Sequence, residues 1–281
     1  MPERSWLKRH FGTDPLVGGW LFVVGSIVFL VLSALVVVRE YAGHVDAPRL
    51  ASAVCNLAAA VLFLLGSAYF VRLSYPEAMR KFHADALAAD VEALPWLERY
   101  VTFNEFMIAT WFFFAAMSLY DVVGIVWFVY GAPDVGLFFL VGTAGVQASL
   151  LLWIYSGCPD AIQKNEGAGS SAGFDALCGC CGGCERLRPA CGTDAQLGAW
   201  VFFLGCLAAM AVLGVAVCLA PGDDEAWLGF ASMVFFAAGG WLYVRAAGPG
   251  GEARSLVFGD GGAGDGLLKA TYGAAGDTVL H

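Results

Sequence analysis

Charge is what this chain has least of. Only 14% of its 281 residues are Asp, Glu, Lys or Arg, against 59% hydrophobic residues, and the mean hydropathy is +0.70. That balance excludes an ordinary soluble domain. The net charge of −9 is scattered through loops and no Lys/Arg stripe forms, so a nucleic-acid interface is excluded. The four histidines, His10, His44, His83 and His281, fall in loops and tails. A haem or di-metal site inside a helical bundle needs imidazoles in the apolar runs, and there are none. Zincin, nucleophile-elbow, P-loop and dinucleotide-binding signatures are also missing, so the expectation is a non-enzymatic protein. The glycines and aspartates of 259–266 do not join a strand to a helix, which removes a phosphate-loop reading there.

Long polar connections and processing signals are scarce too. The connections at 39–49, 131–134 and 221–225 leave no room for a receptor domain. No small-x-small cleavage site follows the first apolar run, which reads as a signal anchor. Met1-Pro2 excludes N-myristoylation, and the final residues 278–281 match no prenylation or retention signal.

Apolar sequence is abundant instead. Six runs, 16–38, 50–71, 106–130, 135–155, 197–220 and 226–244, approach or exceed the roughly 18–20 residues needed to cross a bilayer. The expected fold is therefore all-α, a polytopic membrane protein with six transmembrane helices. Lys and Arg set its orientation. With six spans, one side holds Arg4, Lys8, Arg9, Arg72, Arg80, Lys81, Arg99, Lys164, Arg186, Arg188, Arg245, Arg254 and Lys269, and the other only Arg39 and Arg49. That bias places both termini in the cytosol.

A twelve-residue pattern recurs three times and opens three of the runs. Thr13-Asp14, Gly18, Trp20, Phe22 and Gly25 return as Thr193-Asp194, Gly198, Trp200, Phe202 and Gly205, with a looser middle copy of Asn104-Glu105, Ala109, Trp111, Phe113 and Ala116. The alternate runs repeat as well. Pro76, Pro159 and Pro249 each follow a small residue (Gly66, Ser149, Gly239) by ten positions and an aromatic (Phe70, Trp153, Tyr243) by six. Three parallel hairpins result, without the inverted repeats of many transporters. In each, Thr or Asn followed by an acid is a helix-start signal, and the tryptophan belongs to the interfacial belt. Small residues seven apart share one face and let helices approach closely. The ends of a hairpin lie on one side, so Asp14 is expected to meet Arg72, and Asp194 to meet Arg245. Glu105 is left without such a partner, because Tyr155 replaces the arginine.

The chain divides accordingly. Residues 1–76 carry hairpin 1, 77–104 a cytosolic linker with an interfacial helix, and 105–159 hairpin 2. A Cys/Gly-rich cytosolic loop occupies 160–193, hairpin 3 occupies 194–249, and 250–281 read as a disordered Gly-rich tail. In the linker, Met79, Phe82, Ala86 and Leu94 face one way, and Glu77, Lys81, Asp85 and Glu92 fall elsewhere. Residues 20–26 (Trp-Leu-Phe-Val-Val-Gly-Ser) and 62–67 (Leu-Phe-Leu-Leu-Gly-Ser), with 200–206 and 235–240 in the third hairpin, resemble the two-helix membrane modules called YrhK-like domains. The resemblance implies three tandem divergent copies and no catalytic residues.

Two places hold candidate chemistry. The first is the cytosolic loop with Cys178, Cys180, Cys181, Cys184 and Cys191, next to Cys158 at the end of the preceding helix. Cys181-x-x-Cys184 has metal-ligand spacing suited to zinc, copper or an iron–sulfur cluster. S-acylation of membrane-proximal thiols and inert reduced thiols are the alternatives, and no cofactor is required by any other motif. The second is Asp121, the one carboxylate well inside an apolar run, with Thr143 and Gln147 at nearby depths on the next run. That trio reads either as a path for protons or ions, or as a polar link stabilising one hairpin. Asn56 reads as interhelical glue, and Cys55, Cys206 and Cys218 as packing residues. The expected role is structural or accessory, with lipid as the partner and a homo-oligomer or another membrane protein as further candidates; the alternatives are a small-solute or ion transporter and a thiolate metal-binding protein.

Overall fold

The computed structural model describes residues 10–43, 47–131, 133–160, 162–163, 194–219 and 221–247. These residues form seven long or medium helices and one π-helical turn, and among them there is no strand. In chain order the helices are α1 (Asp14–Ala42), α2 (Ala47–Leu73), α3 (Pro76–Ala88), α4 (Glu105–Tyr130), α5 (Pro133–Gly157), α6 (Asp194–Leu219) and α7 (Asp224–Ala247), with the π-turn at Glu98–Thr102 before α4. The tail at 250–281 and Cys178, Cys180, Cys181, Cys184 and Cys191 lie outside the described residues.

Five helical stretches are long and apolar enough to cross a membrane: Pro15–Ala42, Ala47–Leu73, Glu105–Tyr130, Leu197–Val215 and Asp224–Arg245. In α5 the apolar portion is shorter, Phe139–Tyr155. The outward faces of these helices are apolar, with Ile27, Val31, Leu35, Leu65, Ile125 and Leu204 all exposed. A surface of that kind is stable against hydrocarbon and not against water. The chain is an integral membrane protein.

Helix starts follow local chemistry where the side chains are described. The Asn104 side chain accepts from the Met107 backbone N–H at 2.8 Å and caps α4. Thr13 behaves differently: its backbone is extended before α1, but its hydroxyl makes no cap, and Pro15 already removes one donor from the first turn. The linker helix α3 ends at Ala88, short of Leu94. Its Ala86 is buried and Glu77, Lys81 and Asp85 are exposed, while the Met79 and Phe82 side chains lie outside the described ones.

The six long helices pack in sequence order, α1 on α2, α2 on α4, α4 on α5, α5 on α6 and α6 on α7, and α7 returns to α1 to close a ring. Between the pairs joined by short turns, the second helix of one pair lies against the first helix of the next. Small residues make those seams. A Cβ added at Gly18 of α1 would meet the Gly239 carbonyl of α7 at 3.1 Å, and one at Gly66 of α2 would meet the Ala109 carbonyl of α4 at 3.1 Å. On the third seam the Ser149 hydroxyl of α5 donates to the Gly198 carbonyl of α6 at 2.7 Å. One heptad further along, a Cβ at Gly25 would meet the Ser232 carbonyl at 3.2 Å, and Ala59 and Ala116 are both fully buried. The α5–α6 seam is looser there, since a Cβ at Gly142 would meet nothing within 4 Å.

Aromatic rings fill the centre of the ring of helices. Phe22, Phe113 and Phe202 come from α1, α4 and α6, and Phe70, Trp153 and Tyr243 from α2, α5 and α7. The Phe22 ring contacts Phe70, Phe113, Phe202 and Tyr243, with centroids 5.3 to 6.2 Å away. Trp153 lies against Phe70, Phe202 and Tyr243. Phe63 and Phe236 add a further layer at 5.6 Å from each other, and Phe29 stacks on Tyr120 beyond them. Edge-to-face and offset pairs of this kind each contribute about 0.5–1.5 kcal/mol beyond area burial. That term matters more in a bilayer than in water, because lipid tails are as apolar as the side chains and give helices little hydrophobic reason to associate.

Candidate functional site

Asp121, Thr143 and Gln147 meet between α4 and α5. The spacing of Thr143 and Gln147, four residues apart, puts both on the face of α5 turned towards α4. Thr143 Oγ1 lies 2.5 Å from Asp121 Oδ1 and 3.0 Å from its own helix's Leu140 carbonyl, to which it can also donate. Gln147 Nε2 donates to Asp121 Oδ2 at 2.6 Å. Both carboxyl oxygens are thus occupied by side chains of the neighbouring helix α5. Thr143 is buried, and Asp121 and Gln147 are partly so. The cluster sits at the wall between two helices, not in the centre of the ring, where Tyr120 stacks on Phe139 and Phe29 instead.

At the base of the bundle, where α1, α4 and α6 begin, charges link helices across seams. Arg72 Nε lies 2.9 Å from Glu105 Oε1. Glu105 therefore does have an arginine, contrary to the expectation from sequence, and it comes from α2. The physical reason is the ring order, which sets the end of α2 beside the start of α4. The Asp14 and Asp194 side chains lie outside the described ones, so the expected Asp14–Arg72 and Asp194–Arg245 pairs are not decided by these contacts. With Arg72 72% exposed, its pair contributes below about 1 kcal/mol. At the opposite end Arg39 of α1 pairs with Glu225 of α7 at 2.5 Å, on the seam that closes the ring.

A second group surrounds Cys158. Arg99 grips both Asp160 oxygens, with Nε to Oδ2 at 2.7 Å, and this hydrogen bonding is the main reason its guanidinium holds its proton more tightly than usual. Asn104 Nδ2 donates to the Gly157 carbonyl at 2.9 Å. The Cys158 thiol is buried against Met107 and Ile154 and donates to the Ile154 carbonyl at 3.2 Å. Burial, helped by the Asp160 charge and opposed by Arg99, pushes it up to about 11. A thiol held protonated in this way is a poor metal ligand and a poor nucleophile. Among the described residues no group of three or more His, Cys, Asp or Glu side chains is placed to hold a metal ion.

The repeated tryptophans occupy the base as well. Trp111 Nε1 donates to the Tyr100 carbonyl at 2.8 Å, Trp20 packs on Phe11, and Trp200 packs on Phe203 and Trp241. Cys206 is buried in the aromatic core and Cys218 is exposed. The Asn56 side-chain oxygen and the Ser33 hydroxyl are buried without a protein partner among the described residues.

What the geometry defines is a class: an all-helical integral membrane protein with a closed, aromatic-filled ring of helices. No family model, curated protein or solved structure matches this chain.

Proposed function

We propose that this chain is a non-enzymatic, multi-span membrane protein of structural or accessory type, built as three parallel two-helix units with six spans and both termini cytosolic. The observation that carries this reading is the interior. Phe22, Phe113, Phe202, Phe70, Trp153 and Tyr243 occupy equivalent positions of the repeated pattern and pack on one another at the centre. A chain that conducts polar solutes along its axis needs polar groups there; this one spends its repeated positions on rings. The repeated Trp-x-Phe-x-x-small pattern also supports three divergent YrhK-like units. For the remaining span, α5 supplies Phe139–Tyr155 with six helical residues before it and two after it. Lipid is the immediate partner. A second copy or another membrane protein remains the candidate client of a scaffold, and no cofactor is needed for it.

A second reading, transport of protons or small ions past Asp121, draws on the carboxyl and its two donors within α4 and α5. One experiment separates the two. Purified protein is reconstituted in liposomes, and proton and monovalent-cation flux is measured against protein-free vesicles. The structural reading predicts equal flux. Flux above the blank that disappears in Asp121→Asn would replace it with the transport reading.

A further inference from the structure

One apolar pair at the base belongs neither to the core nor to a span. Trp96 and Leu97 are adjacent, 68% and 58% exposed, and sit between α3 and the π-turn. Ordinarily such a pair on a loose loop would mean little. Here the backbone that carries it is fixed from several sides. The Arg99 N–H donates to the Pro95 carbonyl at 2.9 Å, and the Arg99 side chain is held by Asp160. Its guanidinium also lies 5.3 Å from the centre of the Tyr100 ring. Upstream, Gln163 Nε2 donates to the Ala86 and Ala89 carbonyls at 2.9 Å each, tying the end of α3 to the segment after α5. Val91 is buried. The two side chains are therefore presented outward by a braced segment.

Its depth follows from one hydrogen bond. Trp111 lies six residues into α4, about 9 Å along the axis at 1.5 Å per residue, and helical side chains lean back towards the helix start. The Trp111 indole donates to the Tyr100 carbonyl, so Tyr100 lies beside the first turns of a membrane span, and the Trp96 ring stays with it, its centroid 6.0 Å from that of Tyr100. That zone is where the bilayer changes from headgroup to hydrocarbon, and it favours an amphipathic indole. Glu92 and Glu98 nearby are exposed acids, which give no attraction to anionic headgroups.

We infer that residues 95–100 form an interfacial anchor whose Trp96 and Leu97 insert into the headgroup region of the surrounding bilayer, apolar in its energetics and indifferent to lipid charge. The inference rests on the membrane placement of the bundle. The test uses the full chain in nanodiscs containing two photoactivatable phospholipids in separate samples, one reactive near the glycerol and one at the acyl-chain end, with cross-linked peptides mapped by mass spectrometry. The shallow probe is expected to label Trp96 and Leu97, equally in zwitterionic and anionic discs and equally at low and high salt. The deep probe is expected to label Val141 and Leu204 on the outer faces of α5 and α6. Replacing Trp96 and Leu97 together by serine should remove the shallow labelling at that site and leave Leu204 unchanged. Labelled spans with an unlabelled 95–100 segment would overturn the anchor alone. Failure of the deep probe to reach Val141 and Leu204 would overturn the membrane placement and the anchor with it.

Discussion

Adding one methyl group at each of two glycines should move stability in opposite directions. At Gly239 of α7, a Cβ would stand 2.5 and 2.6 Å from carbons of the Phe22 ring and 2.9 Å from the Gly18 carbonyl oxygen. The ring is locked among Phe70, Phe202 and Tyr243, and the carbonyl is main chain of α1, so neither can yield without shifting a helix. Overpacking of this kind costs about 1–3 kcal/mol. At Gly142 of α5 nothing lies within 4 Å of the added carbon. There only the backbone effect remains, and Ala in place of a mid-helix Gly stabilises by roughly 0.5–1 kcal/mol. Because the backbone gain is common to both sites, the two variants should differ by about 1–3 kcal/mol, or roughly fivefold to more than a hundredfold in the unfolding equilibrium. Unfolding of purified Gly239→Ala and Gly142→Ala by SDS titration in mixed micelles reads the difference directly. A Gly239→Ala protein as stable as Gly142→Ala would refute the tight α1–α7 seam.

The remaining predictions concern polar groups. Asp121→Asn should be nearly neutral in the same titration, since the amide can accept from Gln147 and donate to Thr143 while Thr143 donates to Leu140. Asp121→Ala leaves the Gln147 amide without its acceptor, while Thr143 keeps the Leu140 carbonyl, and should cost about 1–2 kcal/mol; equal losses in both would contradict the hydrogen-bond reading. Glu105→Arg alone should lose stability slightly at low salt, and combining it with Arg72→Glu should recover it, with both effects below about 1 kcal/mol and reduced by salt. Recovery that fails would dissolve the pair. Cys158 should resist iodoacetamide near neutral pH and react in the folded protein only as pH approaches 11, as peptide mapping would show. Its folded value lies above the ordinary one of 9.0. The unfolded state therefore sheds its proton first, and this residue's contribution to stability falls as pH rises from about 9 towards 11. Rapid labelling at pH 7.5 would contradict its burial.

Much of this architecture is legible in the chain because lipid imposes simple demands. Apolar runs mark the long helices, and Asn104 marks where α4 starts because a cap must satisfy free N–H groups locally. Asp121, Thr143 and Gln147 can be read together from depth alone, since antiparallel neighbours at equal distance from a short turn must come close. Small residues seven apart declare a packing face but not its partner. For that reason the seams are not legible: Gly18 of α1 faces Gly239 of α7, and Arg72 of α2 reaches Glu105 of α4, contacts fixed by ring order rather than by position along the chain. The aromatic interior was half visible. Phe22, Phe113 and Phe202 recur after each repeated tryptophan, and Phe70, Trp153 and Tyr243 recur before each proline, yet repetition alone does not say whether a ring faces lipid or a neighbour. By proximity in sequence Cys158 reads with the loop thiols, and only its packing against Met107 and Ile154 reveals a sequestered side chain.

Among the described helices, α7 meets α1 and closes the ring. Arg39 and Glu225, at the ends of α1 and α7, provide the test. The Arg39→Lys variant, purified and treated in nanodiscs with a carbodiimide, should form an amide between positions 39 and 225 within one chain, seen by mass spectrometry as a joined pair of peptides. Mixing isotopically light and heavy protein before reconstitution distinguishes links within a chain from links between chains. Exclusively light–light and heavy–heavy pairs are the expected result. Mixed pairs, or an unlinked Glu225, would mean that α7 does not return to α1 and that the closed ring is wrong.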